Sequence, residues 1–230
     1  MKKAIVTMDI DYPKEITNIT FPYLKQYANK INADFIVINT RKYPDQPITL
    51  EKFQLYDISK DYDWTIWIDA DAIIHPYCFD LTEIYSKEYV ILDSRTYINL
   101  PYNFKHNIYT RRDGRGYRIP TWITVVSDWT RDLWKPYKDP KQFLPEILSG
   151  DWGSEGTNNT NKEIHLDDYL TTRNLSKYGL KVKFLIQDYF PSIDAPEWLL
   201  HHTPFIKDIN AKIRDFREYE RRVINQSGDK

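Results

Sequence analysis

Short apolar runs alternate along the chain with polar stretches of helical period, which predicts strands and helices in succession. Residues 4–8 (A-I-V-T-M) are an apolar run of strand length. In residues 20–31, Leu24, Tyr27, Ala28 and Ile31 recur at helical spacing, with Thr20 as the cap and Pro22 acceptable in a first turn. Residues 33–38 (A-D-F-I-V-I) predict a second strand, and the β-α-β order makes the two strands parallel. A polar loop over 40–47 leads to a helix over 50–60 capped by Thr49, with Phe53 and Tyr56 facing inward. Trp64, Thr65, Ile66, Trp67 and Ile68 are all β-branched or aromatic, the composition of a strand buried on both faces.

The second half repeats the alternation with longer interruptions. Residues 88–93 and 120–127 read as strands, 165–178 as a helix ended by Gly179, and 180–187 as a late strand. Residues 208–223 form a highly charged amphipathic helix with Ile209, Ile213, Phe216 and Val223 on its inward stripe. Between these, 97–117 carries Arg111, Arg112 and Arg115 with little periodicity, and Arg118 follows. Loops of that length are usually functional or mobile. Residues 149–161 are rich in Gly, Asn and Thr and predict a surface loop holding Asp151, Trp152 and Glu155.

Composition narrows the class. A chain of 230 residues suits one domain, expected over 1–224 with a flexible tail at 225–230. Because 32 basic residues face 33 acidic ones, no electrostatic footprint for nucleic acid or an anionic membrane is expected. The lone Cys78 excludes an internal disulfide and fits a reducing compartment. No run approaches the roughly 18 apolar residues of a membrane span, so the expectation is a soluble, cytoplasmic protein.

The chemistry concentrates where the most apolar strand ends. Trp64–Ile68 runs directly into Asp69-Ala70-Asp71, followed by the apolar Ala72, Ile73 and Ile74. Carboxylates two apart at a strand end project to one side, because side-chain direction repeats every second residue. Paired anions there resist desolvation unless donors or a cation neutralise them, and a hard divalent ion can do so while holding a phosphate on its remaining positions. Asp-x-Asp is also frequent by chance, as turn former or cap. No Gly-rich phosphate loop follows the first strand, which argues against a P-loop or a classical dinucleotide fold.

W-I-D-A-D-A-I-I resembles the Asp-x-Asp segment of the metal-dependent GT-A glycosyltransferases. The opening A-I-V-T-M-D-I-D-Y-P is similar to that of small viral and bacterial sugar transferases, including those that glycosylate capsid proteins of large algal viruses. The resemblance implies a GT-A type, Rossmann-like α/β fold, with a mixed, mostly parallel sheet flanked by helices. It implies Mn²⁺ or Mg²⁺ as cofactor, a nucleoside diphosphate sugar as donor with UDP favoured, and a glycan or glycoprotein acceptor.

Residue by residue, the resemblance places Asp69 and Asp71 on the metal, with a third ligand from His201 or His202. His201 and Lys207 match the family's H-x-x-x-x-x-K, the lysine meeting the diphosphate; Pro204 departs from the usual Gly, and a surface histidine pair is the plain reading. Thr7, Asp9 and Tyr12 would contact the nucleoside, although Asp9 also suits a turn. Lys52 would serve the diphosphate or be an ordinary surface lysine. Asp168, or else Asp167, would be an acceptor-side general base, although both also suit simple helix capping. Thr121, Trp122 and Thr124 would line the sugar pocket. The competing functions are a sugar-nucleotidyltransferase and a catalytically silent nucleotide-sugar-binding protein.

Overall fold

A computed structural model describes residues 1–93, 121–145, 166–185, 200–203, 206 and 208–224. The described strands are β1 (Lys3–Met8), β2 (Ala33–Ile38), β3 (Trp64–Ile68), β4 (Ala72–Ile74), β5 (Tyr89–Leu92), β6 (Ile123–Ser127), β7 (Lys181–Phe184) and β8 (Leu200–His202). Six form one sheet in the order β2-β1-β3-β6-β5-β7, and β4 and β8 form a separate ribbon. β1 pairs in parallel with β2 and β3, and β5 with β7, while β6 runs antiparallel between β3 and β5. The sheet is therefore mixed and mostly parallel, as expected.

Alternation along the strands supplies both faces of the sheet. Ile5, Trp64, Ile66 and Ile68 pack with Leu24, Tyr27 and Ala28 of helix α1 (Lys14–Lys30). Ala4, Val6 and Trp67 face the opposite layer with Leu133, Trp134 and Leu175, the last from helix α3 (Leu166–Lys177). Helices on both faces of a largely parallel sheet make it a doubly covered α/β architecture. Helix α3 ends at Gly179, whose φ of +60° a residue with a Cβ adopts only with strain.

Two helices differ from expectation. α1 begins at Lys14 rather than near Thr20, and Pro22 lies inside it. Its first turns are held by tertiary contacts, since Ile16 and Ile19 bury against Ile73, Phe216 and Tyr219. Thr20 therefore caps nothing: its hydroxyl donates to the Ile16 carbonyl at 3.3 Å and the Ala70 carbonyl at 2.6 Å. The expected helix over 50–60 is a 3₁₀ turn (Ile48–Gln54), one α turn (α2, Leu55–Ile58) and a further 3₁₀ turn (Ser59–Asp61). Glu51 accounts for the tight start. Fully buried, it accepts from the backbone N–H of Lys42 and Tyr43 and from Gln54 Nε2, which draws the preceding loop against the first turn.

Helix α4 (Ile209–Tyr219) is capped by Asp208, which accepts from Ala211 N at 2.7 Å, and it buries Phe216 and Tyr219 against α1. No helix among the described residues is long and apolar enough to cross a membrane.

Candidate metal centre

β3 ends at Ile68, and the carboxylates sit on the turn that follows. Asp69 N donates to the Trp122 carbonyl at 2.8 Å, and Ala72 N donates back to the Asp69 carbonyl at 3.2 Å. The pair of carboxylates thus converges through a turn rather than through the two-residue period of a strand, contrary to the sequence expectation. Thr20 Oγ1, holding the Ala70 carbonyl, fixes this turn to α1.

The ribbon delivers the third group. β4 starts immediately after Asp71, and its antiparallel register with β8 sets Ala72 opposite His202 and Ile73 opposite His201. Paired residues in such a ribbon share a face, and neighbours take opposite faces. Ile73 belongs to the apolar cluster between α1 and α4, so His201 turns there: its ring stacks on Tyr219 at 4.4 Å, and its Nε2 lies 2.5 Å from Asp215 Oδ2. His202 turns to the carboxylates, with Nε2 3.3 Å from Asp71 Oδ1 and 3.8 Å from Asp69 Oδ2. Of the two candidate histidines, only His202 is brought to the site. A one-residue slip of β8 would exchange them.

Each member of the trio is oriented by a neighbour. Trp67 Nε1 donates to Asp69 Oδ1 at 2.8 Å and Lys52 Nζ lies 3.0 Å from the same oxygen, which leaves Oδ2 turned to His202. The His202 ring lies flat on Trp122, with centroids 4.6 Å apart, and Trp122 Nε1 donates to Asp93 Oδ2 at 2.8 Å. Lys212 Nζ of α4 is 2.6 Å from Asp71 Oδ2, and Tyr12 lies beside the same carboxylate.

One ligand atom from each of Asp69, Asp71 and His202 lies within 4.8 Å of the others. Facial ligands about 2.1 Å from an ion are about 3 Å apart, so small side-chain adjustments would close this set on a cation. Two carboxylate oxygens with one imidazole nitrogen are ligand types that divalent cations accept. Among the described residues, no other such group of three is present.

The charges reflect this crowding. Burial pushes Asp69 above the usual carboxylate range, against the pull of Lys52 and His202, and the charge of Asp71 adds to the rise. Burial would raise Asp71 also, but His202 and Lys212 prevail and hold it below the usual range. Tyr12 is raised, first by burial and then by Asp71.

Lys52 lies at the next layer, and sequence alone had it on the surface or on a diphosphate. It is 7% exposed, with Nζ 3.0 Å from both Asp69 Oδ1 and Asp167 Oδ2. Burial disfavours its charge, but Asp167, Asp69 and Asp168 outweigh that and raise its pKa. Asp167 is itself lifted to about 6, by burial first and by Asp168, despite Lys52. Asp168 Oδ1 accepts from Thr121 N at 3.1 Å and Thr121 Oγ1 at 2.8 Å. Both aspartates are buried at the start of α3.

No protein-family model matches the chain, and no curated protein matches it. Among solved structures, a glycosyltransferase involved in glycosylation of the major capsid of PBCV-1 superposes with a TM-score of 0.52 at 10% identity, covering 95% of this chain and 100% of that one. The galactosyltransferase LgtC, solved with donor and acceptor sugar analogues, gives 0.53 at 12% identity, covering 96% of each chain. The fold is that of the GT-A glycosyltransferases.

On this GT-A frame the remaining candidates fall as follows. Thr7 is fully buried, and neither its Oγ1 nor Asp9 Oδ1 has a hydrogen-bond partner among the described residues; the other Asp9 oxygen pairs with Lys14. Thr121 holds Asp168 and Trp122 supports His202, whereas Thr124 is fully buried in the sheet. Lys207, the arginine cluster and the Asp151, Trp152 and Glu155 group lie outside the described residues. Sequence reasoning missed Lys212, which read as one more charge on a charged helix. Its signal was positional: it is four residues after the cap Asp208 and three before Asp215, on the face turned to the histidine strand.

Proposed function

We propose that this protein is a metal-dependent glycosyltransferase that moves a hexose from a nucleoside diphosphate sugar, UDP-sugar favoured, to a hydroxyl of a glycan or glycoprotein. The observation that carries the reading is the convergence of Asp69, Asp71 and His202 just beyond the carboxyl end of β3. In open α/β sheets, ligands bind beyond the carboxyl ends of the strands.

Asp69, Asp71 and His202 would hold Mn²⁺ or Mg²⁺, which when bound offsets the charge that develops on a diphosphate leaving group. The chain's own residues do the rest. Trp67 and Lys52 fix one oxygen of Asp69, and Trp122 fixes the plane of His202, so the donor atoms are oriented before any ligand arrives. Thr7, in β1, and Asp9, just after it, would contact the nucleoside. Tyr12, beside Asp71, would border that nucleoside.

Lys52 is held by carboxylates, so its role becomes balancing buried charge between Asp69 and Asp167 rather than reaching for the diphosphate. Asp168, fixed by Thr121, is the proposed acceptor-side base if the reaction inverts; if it retains, the leaving phosphate can accept the proton instead. All of these groups belong to one domain.

A thermal-shift panel of UDP-, GDP- and dTDP-sugars, each with and without Mn²⁺, tests the reading, since a ligand that binds only the folded state raises its stability. At least one sugar nucleotide is expected to raise the melting temperature only when Mn²⁺ is present, and slow hydrolysis of that donor should follow. Donor binding without hydrolysis or transfer would favour a silent binding protein. No shift with any donor would remove the proposal.

A further inference from the structure

The carboxylates of the candidate metal centre are already matched by lysines. Lys52 Nζ is 3.0 Å from Asp69 Oδ1, and Lys212 Nζ is 2.6 Å from Asp71 Oδ2. The two lysines differ in what else surrounds them. Lys52 lies against Asp167, at 3.0 Å, and the Thr121 hydroxyl at 3.4 Å, enclosed by acids on a second side. Lys212 belongs to α4 and comes to Asp71 from the side of the histidine ribbon.

Its position is built. α4 is anchored by the Asp208 cap, by the contact of His201 with Asp215, by Tyr219 stacked on His201, and by Tyr23 donating to Glu220 at 2.8 Å. Lys212 lies one turn before Phe216, whose fully buried ring seats that part of the helix. The ammonium is thus held within reach of Asp71 by the same helix that holds the back of the His202 strand.

We infer that Lys212 makes metal and diphosphate binding depend on each other, opposing a divalent cation that binds alone and favouring one that arrives with a diphosphate. This rests on the metal-centre reading above and adds a residue and a binding order to it. A divalent ion on Asp71 and His202 would share the Asp71 carboxylate with an ammonium, and like charges at that separation repel strongly in a partly desolvated site. Lys52 is already divided between Asp69 and Asp167, so the competition falls on Asp71, where the ion and Lys212 would claim one carboxylate. A diphosphate relieves that competition by giving Lys212 an anionic oxygen in exchange for its share of Asp71. The sequence motif would have given this part to Lys207, but with His202 at the carboxylates the six-residue spacing ends on Asp208 instead.

The inference predicts effects of opposite sign in one variant. Calorimetric titration of Lys212→Met with MnCl₂ alone should show Mn²⁺ binding at least about tenfold tighter than wild type, equivalent to about 1.4 kcal/mol. UDP titrated at saturating Mn²⁺ should bind the same variant at least about tenfold more weakly. Lys212→Arg, which keeps the charge, should resemble wild type in both titrations, and melting curves establish that each variant is folded. A merely structural lysine would weaken both affinities together, and that result, or an unchanged Mn²⁺ affinity in a folded Lys212→Met, overturns the inference. If Mn²⁺ binds neither wild type nor variant, with or without UDP, the metal-centre reading falls and this inference with it.

Discussion

β3 carries an aspartate at each end, and the contrast between them shows how the fold separates stability from chemistry. Asp63, before the strand, accepts from Lys2 N at 2.7 Å and from Lys87 Nζ at 2.9 Å, with both side chains open to water. Hydrogen bonds from Lys87 and Lys2 hold its carboxyl below the usual range. Asp69, after the strand, is driven the other way by burial and by the charge of Asp71. The linkage signs are therefore opposite. Asp63 adds stability that is full above the ordinary carboxylate pKa and is lost as pH falls through its lowered folded value. Asp69 opposes folding once ionised, an opposition absent below the ordinary pKa and complete above its raised folded value. A group kept where it opposes folding is a candidate for function, whereas one paired in solvent is explained by the fold alone.

The sharpest break in that contrast is Asp69→Asn. It is expected to abolish Mn²⁺ binding measured by calorimetry while leaving the melting temperature at neutral pH unchanged or higher, because Lys52 keeps Asp167. A large fall in melting temperature with metal binding retained would reverse the roles assigned to the two ends of the strand.

Lys52→Ala should give the largest loss of stability. It strips the cation from half-buried Asp69 and buried Asp167, and breaking a buried pair from one side typically costs about 3–5 kcal/mol. For a chain of this length each kcal/mol is worth about 2–4 °C, so melting should fall by roughly 6–20 °C. A change within scatter would mean that Lys52 is solvated and free to serve a ligand, as the sequence alone allowed.

The two histidines sharpen the comparison on a finer scale, since they are adjacent yet face different layers. His202→Ala should weaken Mn²⁺ at least about tenfold with little change in melting. His201→Ala should act mainly through stability, by loosening α4 from the ribbon. Equal losses of metal affinity would mean that the register of β4 with β8 does not select between them.

Much of this was legible in the chain because single-strand patterns carry it. The aromatic and β-branched run of β3 marks a buried strand wherever it occurs, so Asp69 and Asp71 are found at its end without knowing the partners. The choice between His201 and His202 was not legible, because it depends on which residue of β4 each one faces, a pairing between segments far apart in sequence. Lys212 and Lys52 were hidden for a related reason. A lysine reads as solvated unless an acid from elsewhere reaches it, and Asp71 and Asp167 come from distant segments. The early start of α1 was missed because propensity at Pro22 is overridden by the burial of Ile16 and Ile19 against Ile73 and Phe216.

The smallest expected effect belongs to Asp63→Asn. Its pair with Lys87 is solvent-exposed, and Lys87 retains Asp128 at 3.0 Å after the substitution. Melting at neutral pH should fall only slightly, and the difference from wild type should shrink as salt is added. It should shrink also as pH falls through the lowered pKa of Asp63, because wild type then loses by protonation what the variant lost by substitution. The pH dependence separates the ends of β3 most directly: Asp63→Asn converges on wild type in acid from below, and Asp69→Asn, which removes an ionised group that opposes folding, converges from above or starts level with it. Convergence from the same side for both variants would show that the two carboxylates differ in exposure without differing in the sign of their contribution to the fold.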